Sequence, residues 1–187
     1  MPTTTRDKLL DAATRLLDSG GPEAVTLREV GRLAGVSHNT PYKHFADKED
    51  LLAEVAAGEL GGLGAALRSL PPTGPESLRA ALNLYTVWAL DHPARFKLVF
   101  GSWRSESAVL GRAAAEARTA LVVLVAGAQD RGLLPAGDTE RAAALVHSLT
   151  HGAVDLSLAG HLSAEKGRTD PAGLVEDLLT YLGAAAG

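Results

Sequence analysis

Three residues that favour the position just before a helix, Thr26, Ser37 and Asp47, fall within about twenty residues of one another. A chain punctuated this closely cannot run as one rod; it must fold as short helices set at angles. Thr26-Leu27-Arg28-Glu29 reads as a capping box, in which the Thr26 hydroxyl accepts from the Glu29 N–H and Glu29 reaches back. The helix it opens, about 27–34, buries Leu27, Val30 and Ala34, and Gly35 is placed to leave it with positive φ. Ser37 then caps a helix over about 38–45, and Asp47 a third that runs towards Leu70. Ahead of them, residues 6–18 carry Leu9, Ala13 and Leu16 at i, i+4, i+7, with Leu10 and Leu17 beside them, and Gly20-Gly21-Pro22 ends that amphipathic helix.

The rest of the chain repeats the helical period. Helices are expected at about 76–91, 93–101, 105–131, 138–160 and 171–185, separated by His92-Pro93, Gly101, Gly132 to Gly137 and Gly167 to Pro171. No segment alternates with a period of two, so no strand is expected. The β-like run TALVVLVAG reads as buried helix because its upstream flank is rich in alanine and arginine. Pro71-Pro72-Thr73-Gly74-Pro75 is the sharpest interruption and reads as the best domain boundary, and no internal repeat is visible. With 187 residues the chain is long enough to bury a core without staples. It has no cysteine, which excludes disulfides, thiolate metal sites and cysteine nucleophiles. No apolar run reaches the roughly 20 residues of a membrane span, and the start lacks the apolar core of a signal peptide, so a cytoplasmic protein with no membrane partner is expected.

The net charge of -4 gives no overall attraction to a polyanion. One window departs from that balance. Residues 30–46 hold Arg32, Lys43, His38 and His44 and no acid, within a first fifty residues whose seven cations and eight acids sum to -1. A helix, a glycine turn and a second helix there cross at about 90–120°. Gly31 lacks a side chain where the two approach, Val36 plugs the turn, and Phe45 anchors the second helix. That helix exposes His38, Asn39, Thr40, Tyr42, Lys43 and His44, groups suited to base edges and phosphates. Lys48 follows at the next helix start, where free N–H groups favour a phosphate. Pro41 falls in the first turn, where a missing N–H costs least.

The run VTLREVGRLAGVSHNTPYKHFADKEDLL strongly resembles the amino-terminal helix-turn-helix of the TetR family of bacterial transcriptional repressors. The resemblance covers residues 6 to about 55 and implies an all-α protein. In that picture residues 1–50 form a three-helix DNA-binding domain, and residues 51–187 form a helical bundle for ligand binding and dimerisation. It implies a homodimer on double-stranded operator DNA and a small-molecule effector, with no cofactor and no catalysis. By position, Thr26, Tyr42, His44 and Lys48 match the family's phosphate contacts, and Ser37, His38, Asn39 and Thr40 match positions reaching bases or nearby phosphates. Arg28 and Lys43 complete the DNA-contacting set. Gly31 stands where the family usually has alanine. The segment YTVWALDHPARFKLVF also looks like a TetR subgroup named for a Trp-His-Gly signature, which here falls at Thr150-His151-Gly152.

Five of the eight aromatics lie between 85 and 103: Tyr85, Trp88, Phe96, Phe100 and Trp103. They are either ordinary core or the lining of an apolar cavity, the usual ligand site of a bundle. Trp88, Phe96, Phe100 and Trp103 are therefore ligand-binding candidates. His147, His151 and Asp155 share a helix face at i, i+4, i+8 and join them, as partners of a ligand's polar group or of core neighbours. The same spacing admits a divalent metal, and with it a metal-dependent enzyme as the competing reading. Leu145, Leu149 and Leu156, with Leu174, Leu178 and Leu182, give the last two helices wider apolar stripes than one small body needs, which points to a twofold dimer surface.

Overall fold

The computed structural model describes residues 3–74, 76–162 and 170–185. Among them there are eight α-helices, one 3-10 turn and no strand. They are α1 (Thr5–Ala24), α2 (Leu27–Leu33), the 3-10 turn Pro41–Lys43, α3 (Lys48–Ser69), α4 (Ser77–Asp91), α5 (Pro93–Val99), α6 (Ala108–Asp130), α7 (Thr139–Leu158) and α8 (Pro171–Ala184). The all-α expectation holds, and TALVVLVAG lies inside α6.

Most helix starts are set by short polar side chains. Thr4 and Asp7 cap α1 reciprocally, at 3.1 and 2.9 Å. Asp138 accepts from the Arg141 N–H at 3.1 Å, and Asp170 from the Gly173 N–H at 2.7 Å, with Pro171 at the first position of α8 where its missing donor is harmless. The regular part of α1 breaks at Gly21, where φ is 69°. Its buried face is Leu9, Ala12, Ala13 and Leu17; Leu17, not Leu16, completes the stripe.

The chain forms two compact units. The first comprises residues 1–62 and 92–115, the second residues 63–91 and 116–187, so α3 and α6 each contribute to both. In the first unit Leu9, Leu17, Val25, Val30, Phe45 and Leu51 are buried. Arg95 of α5 ties that helix to α1 and α3: it lies 2.6 Å from Asp18 and 3.2 Å from Glu59. In the second unit, Leu78 and Leu82 of α4, Val125 of α6, Ala143 and Val146 of α7 and Val175 of α8 form one apolar cluster with Ala128 and Leu134. The Pro71–Thr73 stretch lies inside this second unit instead of dividing the protein: a Cβ on Gly127 of α6 would meet the Pro72 carbonyl oxygen at 1.9 Å.

Candidate nucleic-acid interface

The amino-terminal candidates all lie within residues 26–48 of the first unit. Thr26 starts α2, its hydroxyl accepting from the Glu29 N–H at 3.2 Å. The reciprocal half of the expected capping box does not form. Glu29 turns instead to Arg32, at 2.8 Å, because the guanidinium one turn on is a stronger partner than an exposed backbone N–H. Gly35 takes the left-handed conformation at φ 68°, as the turn requires, and the Val36 N–H closes back on the Gly31 carbonyl at 3.1 Å. Gly31 is buried against Pro41: a Cβ there would sit 2.8 Å from Pro41 Cγ.

The second helix of the motif is shorter than expected. Only Pro41–Lys43 forms a 3-10 turn, flanked by Thr40 and His44 in right-handed backbone conformation. Ser37 does not cap it. Its hydroxyl lies 2.7 Å from the Thr40 hydroxyl, and its carbonyl accepts the Thr40 N–H at 2.9 Å. The cause is Pro41, which has no N–H to return to the Ser37 carbonyl, so that carbonyl closes a tighter i+3 ring. Asp47, by contrast, caps α3 as expected, accepting from the Asp50 N–H at 2.8 Å.

Thr26, Arg28, Ser37, His38, Asn39, Tyr42 and Lys43 are exposed, and Thr40, His44 and Lys48 are half-buried. The segment is held from beneath by Phe45, which is 2% exposed, while Tyr42 is 53% exposed with the His38 ring edge-on at 5.9 Å. Lys48 lies 3.9 Å from Glu23, whose side chain is almost fully exposed. An ion pair that open contributes little and yields readily to a phosphate. The result is an outward polar strip with cations at its margins and no carboxylate within residues 30–46. Such a strip matches the anionic backbone and base edges of a duplex.

The carboxy-terminal candidates divide between the units. Phe96, Phe100 and Trp103 belong to the first, Trp88, His147, His151 and Asp155 to the second. Phe96 is fully buried and is core; its ring lies 5.4 Å from that of the more exposed Phe100. Trp103 lines an open cleft of about 500 Å³ with Asp47, Asp50, Ser107 and Arg112, and its indole N–H is buried without a partner. Beside it the Glu49 carboxylate accepts from the backbone N–H of Arg104 at 2.8 Å and of Ser105 at 3.2 Å. These bonds hold its pKa below the ordinary value.

In the second unit α4 and α7 bring together Tyr85, Trp88, His147 and His151. The Tyr85 hydroxyl lies 2.8 Å from His151 Nδ1. The Tyr85 ring meets the His147 ring edge-on at 5.4 Å, and the two imidazoles are 5.9 Å apart. Burial pushes the Tyr85 phenol up and both histidines down, with the neighbouring His151 adding to the effect on His147. This is a neutral hydrogen-bonding group rather than a charged one. The metal alternative finds no support: among the described residues no three His, Cys, Asp or Glu side chains are placed to hold an ion. His151 is directed to Tyr85, and Asp155 is exposed. The sequence singled out the two histidines but not Tyr85 as their partner, which no local spacing could reveal across 66 residues.

On α7, Leu145, Leu149 and Leu156 are exposed along one stripe, and Tyr181 on α8 is 74% exposed. Leu174 is half-buried, and Leu178 and Leu182 pack partly against the unit's own core. No helix among the described residues is long and apolar enough to cross a membrane.

Comparison with known proteins agrees with this architecture. Residues 9–55 match the family described as bacterial regulatory proteins, tetR family, and residues 78–182 match the tetracyclin repressor-like, C-terminal domain. An uncharacterized HTH-type transcriptional regulator of Mycobacterium bovis is 30% identical over 151 residues, 76% of each chain. The HTH-type transcriptional regulator AcrR of Shigella flexneri is 41% identical over 51 residues, 27% of this chain and 24% of that one. The repressor KstR2 of Rhodococcus jostii is 35% identical over 78 residues, 42% and 38% of the two. The match thus spans well under half the length of these two named regulators. Among solved structures, a Rhodococcus sp. RHA1 protein of unknown function superposes with a TM-score of 0.82 at 26% identity, covering 97% of this chain and 95% of that one. Thermus thermophilus FadR, solved in complex with lauroyl-CoA, shares the fold with a TM-score of 0.66 at 24% identity, covering 95% and 92%.

Proposed function

The chain belongs to the TetR family of bacterial regulatory proteins, and on that premise we propose that it is a ligand-released repressor acting in the cytoplasm as a homodimer. The observation that carries this reading is the acid-free strip of exposed His38, Asn39, Tyr42 and Lys43 seated on buried Phe45. In a twofold dimer two such strips enter successive major grooves, about 34–36 Å apart, on a near-palindromic operator. Thr26, Arg28, Tyr42, Lys43, His44 and Lys48 hold phosphates and supply salt-dependent affinity. Ser37, His38, Asn39 and Thr40 supply sequence preference.

Leu145, Leu149 and Leu156, with Leu174, Leu178 and Leu182 of α8, form the pairing surface. A stripe of exposed leucine on a helix is costly in water and is covered when a second copy packs on it. A small, largely apolar effector binds in the second unit beside Trp88 of α4. His147 and His151 meet its polar group and Asp155 lies beside them. The effector favours the arrangement that does not fit DNA, and by linkage DNA weakens the effector's binding by the same factor. Helix α3 contributes to both compact units and is the lever. The functional division proposed is that residues 1–50 read DNA and residues 51–187 bind effector and partner copy.

The test is a fluorescence-anisotropy titration against the duplex upstream of the protein's own gene, at several salt concentrations. Repressor function predicts tight binding that weakens steeply with salt; binding indifferent to salt or sequence contradicts it.

A further inference from the structure

We infer that Arg6 is a positioning residue for the DNA-reading segment, holding its orientation from outside; the inference rests on the DNA-binding function proposed above. Residues 37–45 are a turn and a short 3-10 element, not a full α-helix. An element of this kind has poor hydrogen-bond geometry and does not hold its own direction; its neighbours must. At the near end the neighbour is α2, where the Pro41 ring fills the gap left by Gly31. At the far end it is Arg6 of α1.

One guanidinium there makes three contacts. Nη1 lies 3.5 Å from the His44 carbonyl oxygen, Nη2 lies 2.6 Å from Glu54 Oε1 of α3, and Cζ lies 5.0 Å from the centre of the Phe45 ring. Arg6 therefore joins α1, α3 and the last two residues of the reading segment. The fork suits this: its separate N–H groups reach two acceptors while Cζ lies over the ring, whereas an ammonium is a single point charge. The Glu54 side chain is 21% exposed, so the ion pair is partly shielded and fixes the guanidinium. A tilt at His44–Phe45 would move Lys43, Tyr42 and His38 together. Base readout depends on placement, whereas phosphate attraction tolerates displacement. Loss of the pin thus costs discrimination more than general affinity.

The experiment uses the full chain and the duplex it enriches from a random-sequence pool, with a scrambled duplex of equal length as reference. Arg6→Gln and Glu54→Gln should each lower the ratio of selected to scrambled affinity about tenfold, the worth of roughly one well-placed base contact, with scrambled binding within about twofold of wild type. Arg6→Lys, which keeps the ion pair but not the fork, should recover part of the ratio. Thermal melting by circular dichroism checks folding, and Glu54→Gln carries the test if Arg6→Gln does not fold. A direct phosphate contact by Arg6 would look different. Arg6→Gln would then weaken both duplexes alike and lower the salt slope by about one, while Glu54→Gln, freeing the guanidinium, would tighten binding. That pattern, or an unchanged ratio in both variants, overturns the inference. A wild-type protein that enriches no sequence overturns the DNA-binding function itself, and this inference with it.

Discussion

The two polar constellations of the molecule are built in opposite ways. The strip from Thr26 to Lys48 is largely exposed, short in sequence and seated on apolar anchors such as Phe45 and Pro41. The group of Tyr85, His147 and His151 is partly buried, assembled from α4 and α7, and kept neutral by its surroundings. The first suits a polyanion met in water, where charges remain solvated until contact. The second suits a neutral or weakly polar ligand group, because burial has already disfavoured the charged forms. What a polar cluster can bind is thus set less by its residue types than by whether water still reaches them.

Removing the anchor under the strip has the largest effect. Phe45→Ala should destabilise the first unit by about 3–5 kcal/mol and abolish DNA binding, read by thermal melting and anisotropy. An unchanged melting temperature would mean that the strip does not depend on its anchor. Lys48→Ala should leave stability intact, weaken binding to all duplexes about tenfold, and lower the salt slope by about one. Next comes a contrast between two helix starts. Asp47→Ala should cost about 1 kcal/mol, since its carboxylate caps the Asp50 N–H, whereas Ser37→Ala should cost under about 0.5 kcal/mol, since its hydroxyl reaches only Thr40. Equal costs in denaturant titrations would contradict the cap assignment.

The smallest effect sharpens the second constellation. His147 and His151 are both held below the ordinary histidine value of 6.5. Below that value the unfolded chain binds protons that the folded one resists, so stability falls as pH drops through 6.5 and continues to fall towards the lower folded values. Melting of the protein between pH 7.5 and 5.5 should show this decline, and His147→Gln should flatten it. A decline unaltered by that variant would assign it to other groups.

Local signals carried the helices and the strip. Asp47, Thr26 and Gly35 act at the positions their chemistry suggests, and the polar residues of the candidate reading segment lie within a few consecutive positions. Two kinds of feature were not legible. Where two local preferences compete, the winner depends on detail: Pro41 removes one N–H and so converts an expected helix capped by Ser37 into a 3-10 turn. Where a contact spans the chain, no spacing announces it. Arg6 with Glu54, Glu49 with the Arg104 backbone, and Tyr85 with His151 all pair across tens of residues. The break at Pro71–Thr73 misleads for a related reason, since a loop that looks like a linker packs on Gly127 within its own unit.

If the proposed function holds, two paired, outward-facing reading segments lie in the grooves of one duplex. Hydroxyl-radical footprinting of the protein on its selected duplex is the decisive check. Two protected patches related by a twofold axis and about one helical turn apart, both lost with Tyr42→Ala and Lys43→Ala combined, are the predicted result. A single patch, or a footprint that survives the double substitution, would contradict it.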